Sequence, residues 1–178
     1  NPTLADTLFS LVVYGFFRAL WMILFRLEVK GEKFPEKGPY IIFANHTSYF
    51  DPVIVAIAMP FNVFLRTFFL GFKQIFYVPV LKRLIKSIRF IPIDVSSYDL
   101  VNSLQVCAYL LRNARNICMF PEGQRAPENK VIKFKKGIGI LAQELDVALV
   151  PVYIQGAYES WSRHRKLPRL SKITVTVG

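Results

Sequence analysis

The stretch that decides the fold is PYIIFANHTSYFDPVIVAIAM, residues 39–59. Residues 39–44 are a short apolar run, which reads as a buried strand ending at Asn45-His46. Asp51-Pro52 then opens an apolar helix to about Met59, with Asp51 as the N-cap, Pro52 at the first helical position and Pro60 as the stop. Strand, polar turn and helix in this order are the repeating unit of an α/β layer.

Outward from this stretch the alternation continues. Residues 29–38 (VKGEKFPEKG) are polar and read as a connector. Residues 63–69 suit a strand, 79–87 (PVLKRLIKS) a short basic helix, and 89–93 a strand. Ser96 starts an amphipathic helix with Leu100, Leu104, Cys107, Ala108 and Leu111 on one face, and Ser96 with Asp99 gives a start resembling a capping box. A strand at 117–120 runs into Pro121-Glu122-Gly123, and a basic loop follows to Lys136. Residues 137–145 read as a helix, and 147–154 and 172–177 as strands, with Pro151 suited to an edge or a strand end. The expected fold is a single α/β domain with a mainly parallel central sheet flanked by helices, and an N-terminal membrane-associated helix. Functional groups then belong at the carboxyl ends of the strands, where His46 and Glu122 fall.

The 178 residues suffice for one core. Hydrophobic residues make up 53%, with 16 Phe, which leaves apolar surface for a lipid, ligand or partner. Lys plus Arg is 23 against 12 Asp plus Glu, a net charge of +11, which suits an anionic partner or a steering field, a merely soluble and positive protein being the plain alternative. The Phe content and hydrophobic N-terminus favour lipid over nucleic acid, for which no motif speaks and where aromatic–basic interleaving is poor outside 158–166. Cys107 and Cys118 stand in no metal-binding spacing and read as buried thiols, so no metal site is expected.

Residues 8–25 carry one charge, Arg18. As a helix they span about 27 Å, slightly short of a hydrocarbon core. Thr7, Ser10, Tyr14 and Arg18 share one stripe, and the rest of the circumference is apolar. This suits a helix lying in the membrane interface with its polar stripe outward or against its own domain. A spanning helix is the second reading, and a core helix the third. The division expected is 1–27 for this helix and 28–178 for the α/β domain. The chain stops at Gly178 directly after a strand, which suggests a piece of a longer protein.

Three constellations bear on chemistry. In Asn45-His46-Thr47-Ser48-Tyr49-Phe50-Asp51, an imidazole and a carboxylate share a strand-to-helix turn. Acyl transfer to an alcohol needs a base for the hydroxyl proton and a group that fixes the base's tautomer. A capping Asp beside a surface His is the plain alternative. In Phe120-Pro121-Glu122-Gly123-Gln124-Arg125, an acid, a flexible Gly and an Arg after a strand suit a phosphate and polar headgroup, with Lys133, Lys135 and Lys136 extending the positive field. A solvated basic loop is the alternative. Val150-Pro151-Val152 is an apolar strand with no chemistry of its own. His164, within Arg163-His164-Arg165-Lys166, reads as a solvated surface histidine or one near anionic lipid.

In this order and spacing the three blocks resemble the glycerolipid acyltransferase family, the PlsC-like lysophospholipid or 1-acylglycerol-3-phosphate acyltransferases. Asn45, His46 and Asp51 match its N-H-x-x-x-x-D block, and Phe120 to Gly123 with Arg125 its F-P-E-G-T-R block. Val150 to Val152 match its V-P-V block, and Phe134-Lys135-Lys136-Gly137 a stretch common after the third block. The resemblance implies an O-acyltransferase with a catalytic His46–Asp51 pair and no covalent acyl-enzyme. It implies acyl-CoA or acyl carrier protein as donor, no cofactor beyond that substrate, and a lysophospholipid or glycerol phosphate as acceptor. Glu122 and Gly123 would shape the acceptor pocket, Arg125 bind its phosphate, and Lys135 and Lys136 hold the donor's phosphates, with the acyl chain in an apolar tunnel between helices. The enzyme would work at the cytoplasmic face of a membrane. Gln124 replaces the family's Thr. Ser87-Ile88-Arg89-Phe90-Ile91-Pro92-Ile93-Asp94-Val95 departs from the second block, with Val95 for its Arg and Ser87 near its usual Gly, and Arg89 is the candidate to supply the missing charge. Residues 156–161 resemble acyltransferase domains fused to acyl-activating enzymes. The rival reading is a non-catalytic lipid-binding or membrane-scaffolding module.

Overall fold

The computed structural model describes residues 4–72, 89–93 and 97–178. The basic helix expected at 79–87, the block residues Ser87, Asp94 and Val95, and the cap by Ser96 lie outside them. The chain runs α1 (Leu4–Leu24), β1 (Glu28–Gly31), β2 (Tyr40–Ala44), α2 (Asp51–Ala58), α3 (Phe61–Phe64), β3 (Thr67–Phe72) and β4 (Phe90–Ile93). It continues α4 (Ser97–Arg112), β5 (Asn116–Met119), α5 (Gly137–Leu145), β6 (Ala148–Gln155), α6 (Ala157–Trp161) and β7 (Thr174–Val177).

The strands form one sheet in the order β1-β7-β6-β2-β5-β3-β4. β6, β2, β5, β3 and β4 are mutually parallel. β7 pairs antiparallel with β6, and β1 runs parallel to β7. The sheet is therefore mainly parallel, and β2 lies near its middle between β5 and β6. A central parallel strand is covered on both faces, which explains the unbroken apolar run Tyr40–Ala44. Tyr40, Ile42 and Ala44 face a cluster with Val150, Val152 and Ile154 of β6, Ile54 and Val55 of α2, and Trp21 and Phe25 of α1. Ile41 faces the opposite cluster with Ile117, Cys107 and Leu111 of α4, and Leu141 of α5. Cys107 and Cys118 are free and buried, and burial pushes both thiols up, Cys107 to about 12.

Several local expectations change. The apolar run at 63–69 divides: Phe61–Phe64 is a helical turn and the strand begins at Thr67, whose hydroxyl donates to the Val63 carbonyl at 2.8 Å. The connector contains β1, a four-residue strand exposed over Val29 to Gly31. Pro151 is not at an edge; it lies within β6, an interior strand, opposite Gly178, whose N–H donates to the Pro151 carbonyl at 3.0 Å. Its missing N–H removes only one bond, where the ladder to β7 ends.

The polar stripe of α1 faces its own domain. The Tyr14 hydroxyl donates to the Met59 carbonyl at 2.6 Å, and the Arg18 guanidinium donates to the Ile57 carbonyl and, at 3.1 Å, to the Tyr14 hydroxyl. These carbonyls are at the C-terminus of α2, where a cation meets the negative end of the helix dipole. Tyr14 also packs on Phe61 and Phe64. The opposite face, with Leu8, Val12, Phe16 and Ile23, is exposed.

Candidate active site

Asn45 follows β2 and holds its end to β6. Its amide donates to the Ile154 carbonyl at 3.0 Å and accepts the Ile154 N–H at 2.7 Å, so a side chain replaces one rung of the ladder. The backbone is thereby free to turn out of the sheet at His46.

The His46 ring stacks on Phe120, at the end of β5, with centroids 4.3 Å apart. Its Nδ1 lies 2.8 Å from Asp51 Oδ2. The same oxygen accepts the N–H groups of Thr47 and Ser48, each at 2.7 Å. With two backbone N–H groups already donating to Oδ2, that oxygen is an acceptor, so Nδ1 is the ring nitrogen that donates to it and Nε2 keeps the lone pair of the neutral ring. Nε2 has no hydrogen-bond partner among the described residues. The Asp51 side chain is fully buried, whereas that of His46 is 15% exposed. Asp51 is thus not the N-cap of α2. Phe50 holds that position, and the carboxylate turns back because three donors converge on it from the preceding turn. Pro52, next in the helix, has no N–H to ask for a cap.

The third block docks under this turn. Glu122 is buried, its Oε1 accepts the His46 backbone N–H at 2.8 Å, and Oε2 accepts that of Ile132 at 3.4 Å. Burial raises its pKa, and the two N–H bonds oppose that rise. Ala126 N–H donates to the His46 carbonyl at 2.7 Å, so both backbone polar groups of the histidine are held by residues 122–126. Glu122 therefore positions His46. Gly123, at φ +70°, lies against Lys135, since a Cβ there would stand 2.6 Å from that amine. Arg125 lies with its guanidinium carbon 3.4 Å from the centroid of the Tyr49 ring, and its Nη1 is buried without a partner among the described residues. Tyr49 and Phe50 pack in turn on Trp161, whose carbonyl takes the Ser48 hydroxyl at 3.0 Å and the Tyr49 N–H at 3.1 Å.

The structure thus brings together His46, Asp51, Glu122, Gly123, Arg125 and Lys135. Lys136 is exposed at the N-terminus of α5, and its side chain makes no hydrogen bond or ion pair to this group among the described residues. Arg89 is elsewhere. It precedes β4, donates to the Leu65 carbonyl and lies over the Phe68 ring at 5.7 Å. Phe68 is level with Ile117 and Ile41 across the parallel strands, five residues before His46. At about 3.3 Å per residue, Arg89 sits roughly 15 Å or more from the turn that carries His46 and Asp51. It marks the amino edge of the sheet and cannot replace a charge at the carboxyl edge. The expectation for Arg89 is corrected accordingly. Tyr49, Phe120 and Trp161 escaped sequence reasoning as site residues, because nothing in their spacing marks an aromatic as a support for an imidazole or a guanidinium.

A buried Asp51, an imidazole with one ring nitrogen free of partners, and an arginine with an unmet donor among the described residues thus lie together at the carboxyl edge of the sheet. The acyltransferase family model matches residues 26–155, and the chain belongs to that family. It is 26% identical over 158 residues to a 1-acyl-sn-glycerol-3-phosphate acyltransferase of Limnanthes alba, covering 88% of this chain and 54% of the relative. It is 25% identical over 152 residues to the chloroplastic 1-acyl-sn-glycerol-3-phosphate acyltransferase LPAT1 of Arabidopsis thaliana, covering 80% and 41%. The chain thus spans about half the length of these relatives. The crystal structure of PlsC, the 1-acyl-sn-glycerophosphate acyltransferase of Thermotoga maritima, superposes with a TM-score of 0.73 at 22% identity, covering 95% of this chain and 67% of that one, which shows a shared fold.

Proposed function

We propose that the protein moves a fatty acyl group from a thioester, acyl-CoA or acyl carrier protein, to the hydroxyl of a lysophospholipid or glycerol phosphate at a membrane surface. The observation that carries this reading is the Asp51–His46 bond with Nε2 left open, with Arg125 stacked on Tyr49 of the same turn and Lys135 against Gly123. His46 Nε2 takes the acceptor's hydroxyl proton as that oxygen attacks the thioester carbonyl. The C–O bond forms, the C–S bond breaks, and the proton passes to the departing thiolate. Asp51 holds the tautomer and stabilises the imidazolium. Arg125 has the free donors to bind the acceptor's phosphate, and Lys135 adds charge across Gly123. An apolar groove of about 260 Å³, lined by Phe43, Val131, Phe134 and Val152, adjoins Asn45 and suits an acyl chain.

The apolar outer face of α1 supports the membrane part of the reading. Thr7–Leu24 has a mean hydropathy of 1.8, and its polar stripe is already bonded to α2. Such a helix lies along the bilayer with its domain attached, which favours an interfacial placement over a spanning one. The thioester donors place the site on the cytoplasmic face, next to an acyl-activating enzyme that is fused or separate. A passive lipid binder would have no use for a carboxylate-held imidazole.

The test is a panel of lysophospholipids and glycerol 3-phosphate with labelled acyl-CoA and acyl carrier protein. Diacyl or monoacyl product from at least one pair is expected, and His46→Ala should lose turnover by about 10³-fold or more with its melting curve unchanged. Near-normal activity in that variant would refute the mechanism.

A further inference from the structure

We infer that the loop between α6 and β7, residues 162–172, is a second lipid-binding element that holds the active-site mouth against an anionic bilayer. This rests on the membrane reading of α1. The loop reads Ser162-Arg163-His164-Arg165-Lys166-Leu167-Pro168-Arg169-Leu170-Ser171-Lys172 and contains no acidic residue. Its backbone is fixed: Arg165 N–H bonds the Ser162 carbonyl at 3.1 Å and Arg169 N–H that of Ser160 at 2.8 Å. The Trp161 ring N–H bonds the Arg165 carbonyl at 3.2 Å, and the Ser171 hydroxyl bonds the Gly156 carbonyl at 2.7 Å. Gly156, at φ +82°, lets the Lys172 carbonyl approach where any Cβ would stand 1.9 Å from it.

On this fixed scaffold Leu167 is 77% exposed and Leu170 59%. A loop tied down at both ends has no packing reason to display two leucines to water, since each loses burial free energy there. Among the charges, Lys172 is paired with Glu28 at 2.7 Å, the Arg163 guanidinium reaches the Arg125 carbonyl, and the His164 ring lies 3.0 Å from the Pro127 carbonyl. Arg165, Lys166 and Arg169 have no carboxylate partner among the described residues. The nearby Glu128 and Glu159 are engaged with Lys130 and Asn129. Free cations interleaved with exposed leucines fit a surface that is negative outside and apolar beneath, as an anionic bilayer is.

The location joins this patch to α1. Ile173 N–H donates to the Phe25 carbonyl at 2.9 Å, and the Ile173 carbonyl accepts the Glu28 N–H at 3.0 Å. The loop's exit is therefore bonded to the end of α1, where Ile23 is 76% exposed. Its entrance is Trp161, beneath the Tyr49 ring that carries Arg125. The end of α1 and the exit of the loop both lie at the carboxyl edge of the sheet, the edge from which His46 turns out.

The test measures co-sedimentation of the whole chain with phosphatidylcholine vesicles, with and without phosphatidylglycerol. Gln substitution of Arg165, Lys166 and Arg169 together should weaken binding to the mixed vesicles by roughly a hundredfold, about fivefold per cation, and leave phosphatidylcholine binding alone. Leu167→Ser with Leu170→Ser should weaken both by on the order of tenfold. Leu167→Trp should show a blue shift on vesicle addition, beyond that of the parent. Activity on a short-chain monomeric acceptor should be unchanged in all three. Parent-like vesicle binding by both the charge and leucine variants overturns the inference while leaving α1 as the anchor. So does loss of activity with one thioester donor at unchanged vesicle binding, which would assign the loop to the donor. A parent that binds neither vesicle overturns the membrane reading itself.

Discussion

Asp51 Oδ2 takes three N–H bonds, and only one comes from the imidazole it serves. The other two fix the carboxylate before His46 is considered. An amide whose oxygen sits in the place of Oδ2 can still accept all three N–H groups, but it carries no negative charge to stabilise the imidazolium. Asp51→Asn should thus keep the fold and lower kcat by on the order of 10³–10⁴, as expected when the charge beside the base is lost. The measurement is kcat with a melting curve as control; a loss under tenfold would remove Asp51 from the mechanism. Glu122 provides a pH test. Burial raises its folded pKa above the ordinary value of 4.5, so its contribution to stability is present below about 4.5 and is lost as pH rises through the raised value. Glu122→Gln keeps an acceptor for the His46 N–H and has no charge to desolvate. The Tm of this variant relative to the parent should climb as pH rises above 4.5 and level off once pH has passed the raised value, while a pH-independent difference would contradict the burial argument.

At the level of elements, α1 grips α2 at both ends. Tyr14 and Arg18 bond its C-terminal carbonyls, and Trp21 and Phe25 pack on Phe50, with centroids at 5.3 and 5.5 Å, one residue before Asp51. The helix with the exposed apolar face therefore also supports the turn that carries His46 and Asp51. Trp21→Ala removes a buried ring and should cost about 3–5 kcal/mol. Trp21→Phe should recover much of this and restore kcat, measured by denaturant unfolding and by turnover. An alanine variant as stable as the parent would show that the ring does not bear on α2. How legible an element was depended on its pattern. α5 lies at 137–145 as expected, because its apolar residues have helical spacing and Gly flanks its start. β1 was missed because its four residues are mostly exposed and carry no apolar alternation. The run at 63–69 was apolar throughout, so its helical turn and strand could not be told apart by periodicity.

For the whole molecule, a net charge of +11 and the exposed apolar face of α1 are the two features that bear on a membrane surface. The +11 charge should make binding to anionic vesicles fall as salt rises, while the α1 contribution persists. Sedimentation at low and high salt measures both parts; binding that is insensitive to salt would remove the electrostatic part. Val12→Ser with Phe16→Ser should weaken binding at every salt concentration, since both side chains are exposed on the outer face of α1.

The strand-turn-helix order, the five-residue separation of His46 and Asp51, and the presence of a glutamate and an arginine after β5 were readable from the chain alone, because each is a local property of consecutive residues. What joins them was not. The bond from the His46 N–H to Glu122 spans 76 positions in sequence and exists because β5 lies beside β2, an adjacency set by how the whole sheet assembles. The same assembly put Arg125 on Tyr49 and sent Arg89 to the far edge. Strand direction and order decide which loops meet, and they follow from burying both faces of the sheet at once, a condition that no single segment carries.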